Sequence, residues 1–125
     1  MKKEQRPGVW LGHVYRKVAD VKSSTQFFKN LGMHVFMEKR SMAILELRGG
    51  THLLLFKNTP QNNWVREQEF DLMVDDVKKV HARLKKEKLT VSALKKDLYH
   101  LTFQVTDPEG KKVVIYSSHT GGRLV

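Results

Sequence analysis

Two stretches of the chain run from mixed apolar and polar residues into an Asp and then into apolar residues at helical spacing. Leu11-Gly12-His13-Val14-Tyr15-Arg16-Lys17-Val18-Ala19-Asp20-Val21-Lys22 overlays Glu67-Gln68-Glu69-Phe70-Asp71-Leu72-Met73-Val74-Asp75-Asp76-Val77-Lys78 at a shift of 56 positions, with Val18/Val74, Asp20/Asp76, Val21/Val77 and Lys22/Lys78 coinciding. Each stretch predicts a strand that ends at the Asp. An Asp just before an apolar-periodic run is a helix N-cap, because its carboxylate accepts the orphan N–H groups of the first turn. The helices that follow turn Val21, Ser24, Phe27, Phe28 and Leu31 inward in the first copy, and Val77, Val80 and Leu84 in the second. Gly32 suits the left-handed residue that closes a helix.

Strand-like runs follow each helix: His34–Glu38, Met42–Leu47 and His52–Phe56, then Leu89–Leu94, Leu98–Thr106 and Lys112–Tyr116. Arg48-Gly49-Gly50 and Asp107-Pro108-Glu109-Gly110 are turn chemistry, and matching Gly50 to Gly110 aligns Thr51–Phe56 with Lys111–Tyr116. The pattern predicts an α+β chain of two tandem βαβββ modules, residues 9–58 and 68–118, joined by the polar linker Asn58-Thr59-Pro60-Gln61-Asn62-Asn63. The tail His119–Val125 reads as loose.

Composition narrows the classes. At 125 residues with 40% apolar content the chain is expected to be one domain over residues 1–125, with a core large enough for a ligand cavity. Without cysteine there is no disulfide framework, thiolate nucleophile, zinc ribbon or iron–sulfur site. No purely apolar stretch exceeds Leu53–Phe56, far short of a bilayer span. The charged start, Met1 to Gly8, leads into no apolar signal segment, so a cytoplasmic location is expected. The net charge of +10 is partly local: Lys78, Lys79, Arg83, Lys85, Lys86, Lys88, Lys95 and Lys96 fall within residues 78–96. Such a run is usually a solvated helix face, and it lacks the aromatics that stack on single strands, which makes a nucleic-acid-binding module the remote alternative.

The repeat, the opening Gly12-His13-Val14, the Val18-Ala19-Asp20-Val21, the Phe27-Phe28-Lys29-Asn30-Leu31-Gly32-Met33 and the closing Val105-Thr106-Asp107-Pro108-Glu109-Gly110-Lys111 together resemble the vicinal oxygen chelate superfamily. That group includes glyoxalase I, bleomycin-resistance proteins, fosfomycin-resistance transferases and extradiol dioxygenases. The resemblance runs from Val9 to Ser118. It implies curved mixed sheets enclosing a cleft for a small molecule, commonly in a homodimer, and in catalytic members a divalent metal held from the first and last strands of each module.

At those four positions this chain carries His13, Glu69, Leu54 and Val114. Two of them have no donor atom, whereas a metal centre needs about three protein ligands. The first reading is therefore a glyoxalase- or bleomycin-resistance-like small-molecule binder with a degenerate, metal-free site and His13 and Glu69 as polar anchors. The basic chain favours an anionic ligand. The alternative is a divalent-metal-dependent glyoxalase- or dioxygenase-like enzyme, with His52, on the same strand face as Leu54, completing a set of His13, Glu69 and His52. Whether the protein is an enzyme is left open. Tyr15, Phe56, Met73, Phe103 and Tyr116 are the further candidates for the cleft lining, and Trp64 is a candidate for covering a cleft or a dimer contact. His34, His81, His100 and His119 have no spacing that recommends them.

Overall fold

The computed structural model describes residues 6–118; the tail His119–Val125 and the first residues of the charged N-terminus lie outside them. The elements are β1 (His13–Val18), α1 (Val21–Leu31), β2 (His34–Glu38), β3 (Met42–Glu46) and β4 (His52–Lys57), then β5 (Leu72–Val74), α2 (Val77–Lys86), β6 (Lys95–Lys96), β7 (Leu101–Thr106) and β8 (Lys112–Ser117). Each half builds a four-stranded sheet of one topology, β1-β4-β3-β2 and β5-β8-β7-β6. In both, the first strand pairs parallel with the last and the remaining pairs are antiparallel. The chain is an α+β protein of two tandem βαβββ modules. Val18 pairs with Lys57 and Val74 with Ser117, so the offsets of the sequence overlay recur in the register.

The residues divide into two compact units. One is Trp10–Glu69 together with Asp107–Lys111; the other is Phe70–Thr106 with described residues 6–9 and 112–118.

In the first unit, α1 starts where expected: the Asp20 side chain accepts from the Lys22 N–H, and Gly32 closes the helix at φ 124°, a conformation that favours glycine. Val21, Ser24, Thr25, Phe27 and Phe28 are buried on the helix, against Val18, Ala43, Leu45, Leu53 and Leu55 from one face of the sheet. The β3–β4 turn takes Gly49 and Gly50 to φ 80° and 90°, and Leu47 N–H donates to Thr51 O across it. Arg16 also points to the helix side. Its guanidinium lies 5.5 Å from the Phe28 ring centroid and donates to Asp107 Oδ2 at 3.2 Å, with side-chain exposures of only 10% and 2%. Burial lowers the Arg16 pKa from its ordinary value, and the charges of Asp107, Glu67 and Glu109 oppose that shift.

In the second unit, Asp76 caps α2 by accepting from the Lys79 N–H, and Val77 and Leu84 are buried. Val80, expected inward, is only half-buried.

Three sequence expectations need correction. The strand expected over the second overlay segment shrinks to Leu72–Val74, because residues just before it serve the open edge of β1: Gln68 N–H donates to Tyr15 O, and the side chains of Gln68 and Glu67 accept from the Tyr15 and Lys17 N–H groups. Leu89–Leu94 is no regular strand. It leaves one isolated bridge, Val91 to Val105, and the register slips by a residue before Lys95 meets Thr102, with Ser92 Oγ accepting the Gln104 N–H. The strand expected from Leu98 begins at Leu101, because the Asp97 carboxylate captures the N–H groups of Tyr99 and His100 and makes a turn there.

Candidate functional site

Side chains alternate along a strand, so the residues that do not face α1 share the opposite face of the first sheet. On β1 these are His13, Tyr15 and Lys17, on β4 His52, Leu54 and Phe56, and on β3 Met42, Ile44 and Glu46. The register places His13 beside His52 and Tyr15 beside Leu54, with Glu46 on the other side of His52. A bulge between Val35 and Met37 on β2 accompanies the approach of the Phe36 ring to within 5.6 Å of His52.

The result is an unbroken row of rings. From Phe36 it passes to His52, then to His13, stacked at 5.8 Å between centroids, then to Tyr15 at 6.3 Å, to Phe56 at 6.3 Å, and ends with Trp64, steeply inclined to Phe56 at 5.2 Å. Phe36 and Trp64 are 67% and 63% exposed, so both ends of the row are open on their flanks. Flat π faces on this scale suit a planar ligand, and the polar groups within the row are few. The chief one is His52. Its Nε2 lies 3.5 Å from Glu46 Oε2 outside hydrogen-bond geometry, and it is a buried nitrogen without a hydrogen-bond partner.

The sequence candidates divide accordingly. His13, Tyr15, His52, Leu54 and Phe56 come together on this face. Glu69 is exposed and follows Gln68, the residue that binds the edge of β1. Met73, Val114 and Tyr116 belong to the second unit, on the face of its sheet opposite α2; there His100 packs edge-on to Tyr116 at 5.0 Å and donates from Nδ1 to Ser117 O. Phe103 lies on the other side: it is 2% exposed and meets His81 edge-on at 4.9 Å, a core position under α2. Trp64 packs on Phe56.

The sequence reading missed Glu46 and Phe36. A signal for the first was available: a hairpin folded about Gly49 pairs positions 46 and 52, and His34 in turn registers with Glu46. The pairing of His13 with His52 joins strands distant in sequence and leaves no such trace.

The superfamily resembled by the sequence often holds a divalent metal, and of the four positions expected for its donors only His13 and Glu69 carry a donor side chain. Leu54 and Val114 offer no donor atom, and Leu54 faces Tyr15 across the ladder. Among the described residues no three His, Asp or Glu side chains converge as they stand.

A separate open depression of about 480 Å³ lies between the start of α1, the β2–β3 turn and Lys57, with Lys22, Glu38, Lys39 and Arg40 on its walls. Its lining holds no ring and none of the candidates. The row of rings is the better site, because it joins apolar area to an unsatisfied polar atom.

Comparison with solved structures supports the fold. The chain is similar to a lactoylglutathione lyase from Agrobacterium tumefaciens (TM-score 0.70, 15% identity, 95% of this chain and 100% of that one). It is also similar to a bleomycin resistance determinant encoded on the transposon Tn5 (0.68, 16%, 89% and 99%) and to TnmS3, an antibiotic binding protein from Streptomyces sp. CB03234 (0.72, 17%, 90% and 98%). No curated protein sequence matches the chain. The model of one protein family matches residues 10–115. With the repeated βαβββ topology, that match shows that the chain belongs to the Glyoxalase/Bleomycin resistance protein/Dioxygenase superfamily.

Proposed function

We infer that this protein binds a planar organic molecule, preferably one carrying an acidic group, without a metal at the position its superfamily uses. The observation that carries this reading is the row of six rings on the first sheet, with Leu54 where a ligating carboxylate would stand. Tyr15, Phe56 and Trp64 supply stacking area, and His13 and His52 are polar anchors. The similarity to an antibiotic binding protein and to a bleomycin resistance determinant supports the binding of a small organic molecule. The net charge of +10 favours an anion. Glu69 belongs to the rim of this reading, and a homodimer is its expected assembly.

The test is a tryptophan-fluorescence titration of the Trp10→Phe variant, which leaves Trp64 as the reporter, against a panel of planar aromatic acids. Saturable quenching that disappears in Tyr15→Ala is expected. A panel that leaves both the fluorescence and the melting temperature unchanged overturns the reading.

A further inference from the structure

The open depression at the start of α1 gathers charge of one sign. Lys22 stands on the first turn of α1, Lys39 and Arg40 in the β2–β3 turn and Lys57 at the end of β4, and all four line it. Backbone hydrogen bonds fix this arrangement. Lys57 N–H donates to Ser41 O of the turn and Asn58 N–H to Val18 O at the end of β1, so the end of β4 is tied on one side to the turn and on the other to the strand that leads into the helix. All four residues are exposed, and among the described residues none of them makes an ion pair. Unpaired charges of one sign around a concavity focus the local potential and concentrate counter-ions there.

The fold does not require these cations, and the internal repeat shows it. Lys57 pairs with Val18 at the end of the first sheet, whereas the residue that pairs with Val74 at the matching place in the second is Ser117. The turn before β7 carries Asp97 where the β2–β3 turn carries Lys39 and Arg40. Only Lys22 has a counterpart, Lys78. One topology is thus built twice, and Lys39, Arg40 and Lys57 belong to the first copy alone.

Two acids share the walls. Asp20 occupies the helix end as its cap, accepting the Lys22 N–H, so recognition of a ligand rests on the side chains; Glu38 stands beside Lys39. Four cations against two carboxylates leave a charge of +2. A phosphate monoester carries close to two negative charges at neutral pH, since its second pKa is about 6, and balances that charge where a single carboxylate does not. Arg40 adds the planar fork that grips phosphate oxygens in pairs. The volume of about 480 Å³ falls in the range of small-molecule sites, which leaves room for more than a bare phosphate. No ring lines the walls, which favours a polar body such as a sugar over a nucleobase.

We propose that the depression between the start of α1, the β2–β3 turn and Lys57 binds a phosphorylated polar metabolite of sugar-phosphate size, with Lys22, Lys39, Arg40 and Lys57 around its phosphate. The proposal goes beyond the aromatic-ligand reading and does not rest on it, because the depression shares no residue with the row of rings.

Amide NMR shifts of isotope-labelled protein, titrated with glucose-6-phosphate in low-salt buffer free of phosphate and sulfate, test it. Saturable shifts are expected at Lys22, Lys39, Arg40 and Lys57, with inorganic phosphate binding more weakly at the same amides and glucose not at all. Arg40→Gln and Lys57→Gln should each weaken glucose-6-phosphate about fivefold, the upper end for an exposed charge pair. Glu38→Gln should tighten it, a change of sign that no loss of structure imitates. Lys78→Gln makes the same change of net charge on the second repeat and should leave the affinity as it is. Melting temperatures establish that the variants are folded, and should Arg40→Gln unfold, Lys57→Gln and Glu38→Gln decide. Absence of saturable shifts with glucose-6-phosphate overturns the proposal, as does equal weakening by Lys78→Gln and Arg40→Gln. Tighter binding of a single-stranded oligonucleotide at the same amides also overturns it and would make the surface a nucleic-acid contact. The aromatic-acid titration is read at Trp64, so either reading can fail without the other.

Discussion

Asp107 accepts at both of its oxygens, with Oδ2 taking the Arg16 guanidinium and Oδ1 the backbone N–H groups of Glu109 and Lys111. One carboxylate thus neutralises a buried cation and also shapes the loop that delivers it. Removing one member of a buried pair costs more than the pair itself contributes, because the survivor is left charged and unsolvated. Asp107→Ala is expected to destabilise the protein by about 3–5 kcal/mol in urea unfolding. Asp107→Asn keeps an oxygen for the two N–H groups and should cost less. Equal losses for the two variants would show that charge is not what matters there. Asp97, by contrast, is fully exposed. Hydrogen bonds from the His100 and Tyr99 N–H groups hold its pKa below the ordinary 3.8. A depressed carboxylate stabilises the fold above its ordinary pKa and loses that contribution as pH falls through the lowered value. Amide exchange at Tyr99 and His100 should therefore accelerate beyond its intrinsic pH trend only below pH 3.8, and Asp97→Ala should show the faster exchange at all pH values.

At the scale of elements, both helices depend on one aspartate each for their start. Asp20→Ala and Asp76→Ala should each lower stability by about 0.5–2 kcal/mol, read as a shift of the urea midpoint at constant slope. These caps were also the most legible features of the chain, because a cap is a local event in which one carboxylate meets N–H groups two or three residues on. The β3–β4 hairpin was legible for the same reason, through Gly49 and Gly50. What the sequence hid is what depends on distant partners. Residues 67–68 look like the start of a strand, yet their side chains cover the edge of β1, more than 45 positions earlier. Val91 and Ser92 have strand-forming neighbours, but the ladder slips beside them. On the first sheet five of the expected ligand residues gather on one face, while Phe103 lies one step of alternation away from its expected face, buried under α2, and Glu46 was overlooked.

Over the whole molecule, the excess of positive charge sets how ligands arrive more than how the chain folds. The lysines and arginine of residues 78–96 are exposed on α2 and the segment after it, and none of them lies in the row of rings. Exposed charges act on an approaching anion through solvent and are screened by salt, since the Debye length falls to about 10 Å at 0.1 M. Affinity for an aromatic acid should weaken between low and physiological ionic strength, whereas that for its uncharged amide should hold; parallel titrations at two salt concentrations compare them. Among the described residues no helix is long and apolar enough to cross a membrane.

The loop Asp107–Lys111 closes the second repeat by sequence but folds with the first unit, where Glu109 also accepts the Ala19 N–H at 2.6 Å. The boundary between the repeats is thus not a place where the gene can be cut. A fragment ending in the linker would bury Arg16 with its counter-charge encoded on the missing piece. Such a half should stay unfolded when expressed by itself and recover structure when its complement is supplied in trans. The tandem modules are grammatically two clauses, but the verb of the first is spoken near the end of the second.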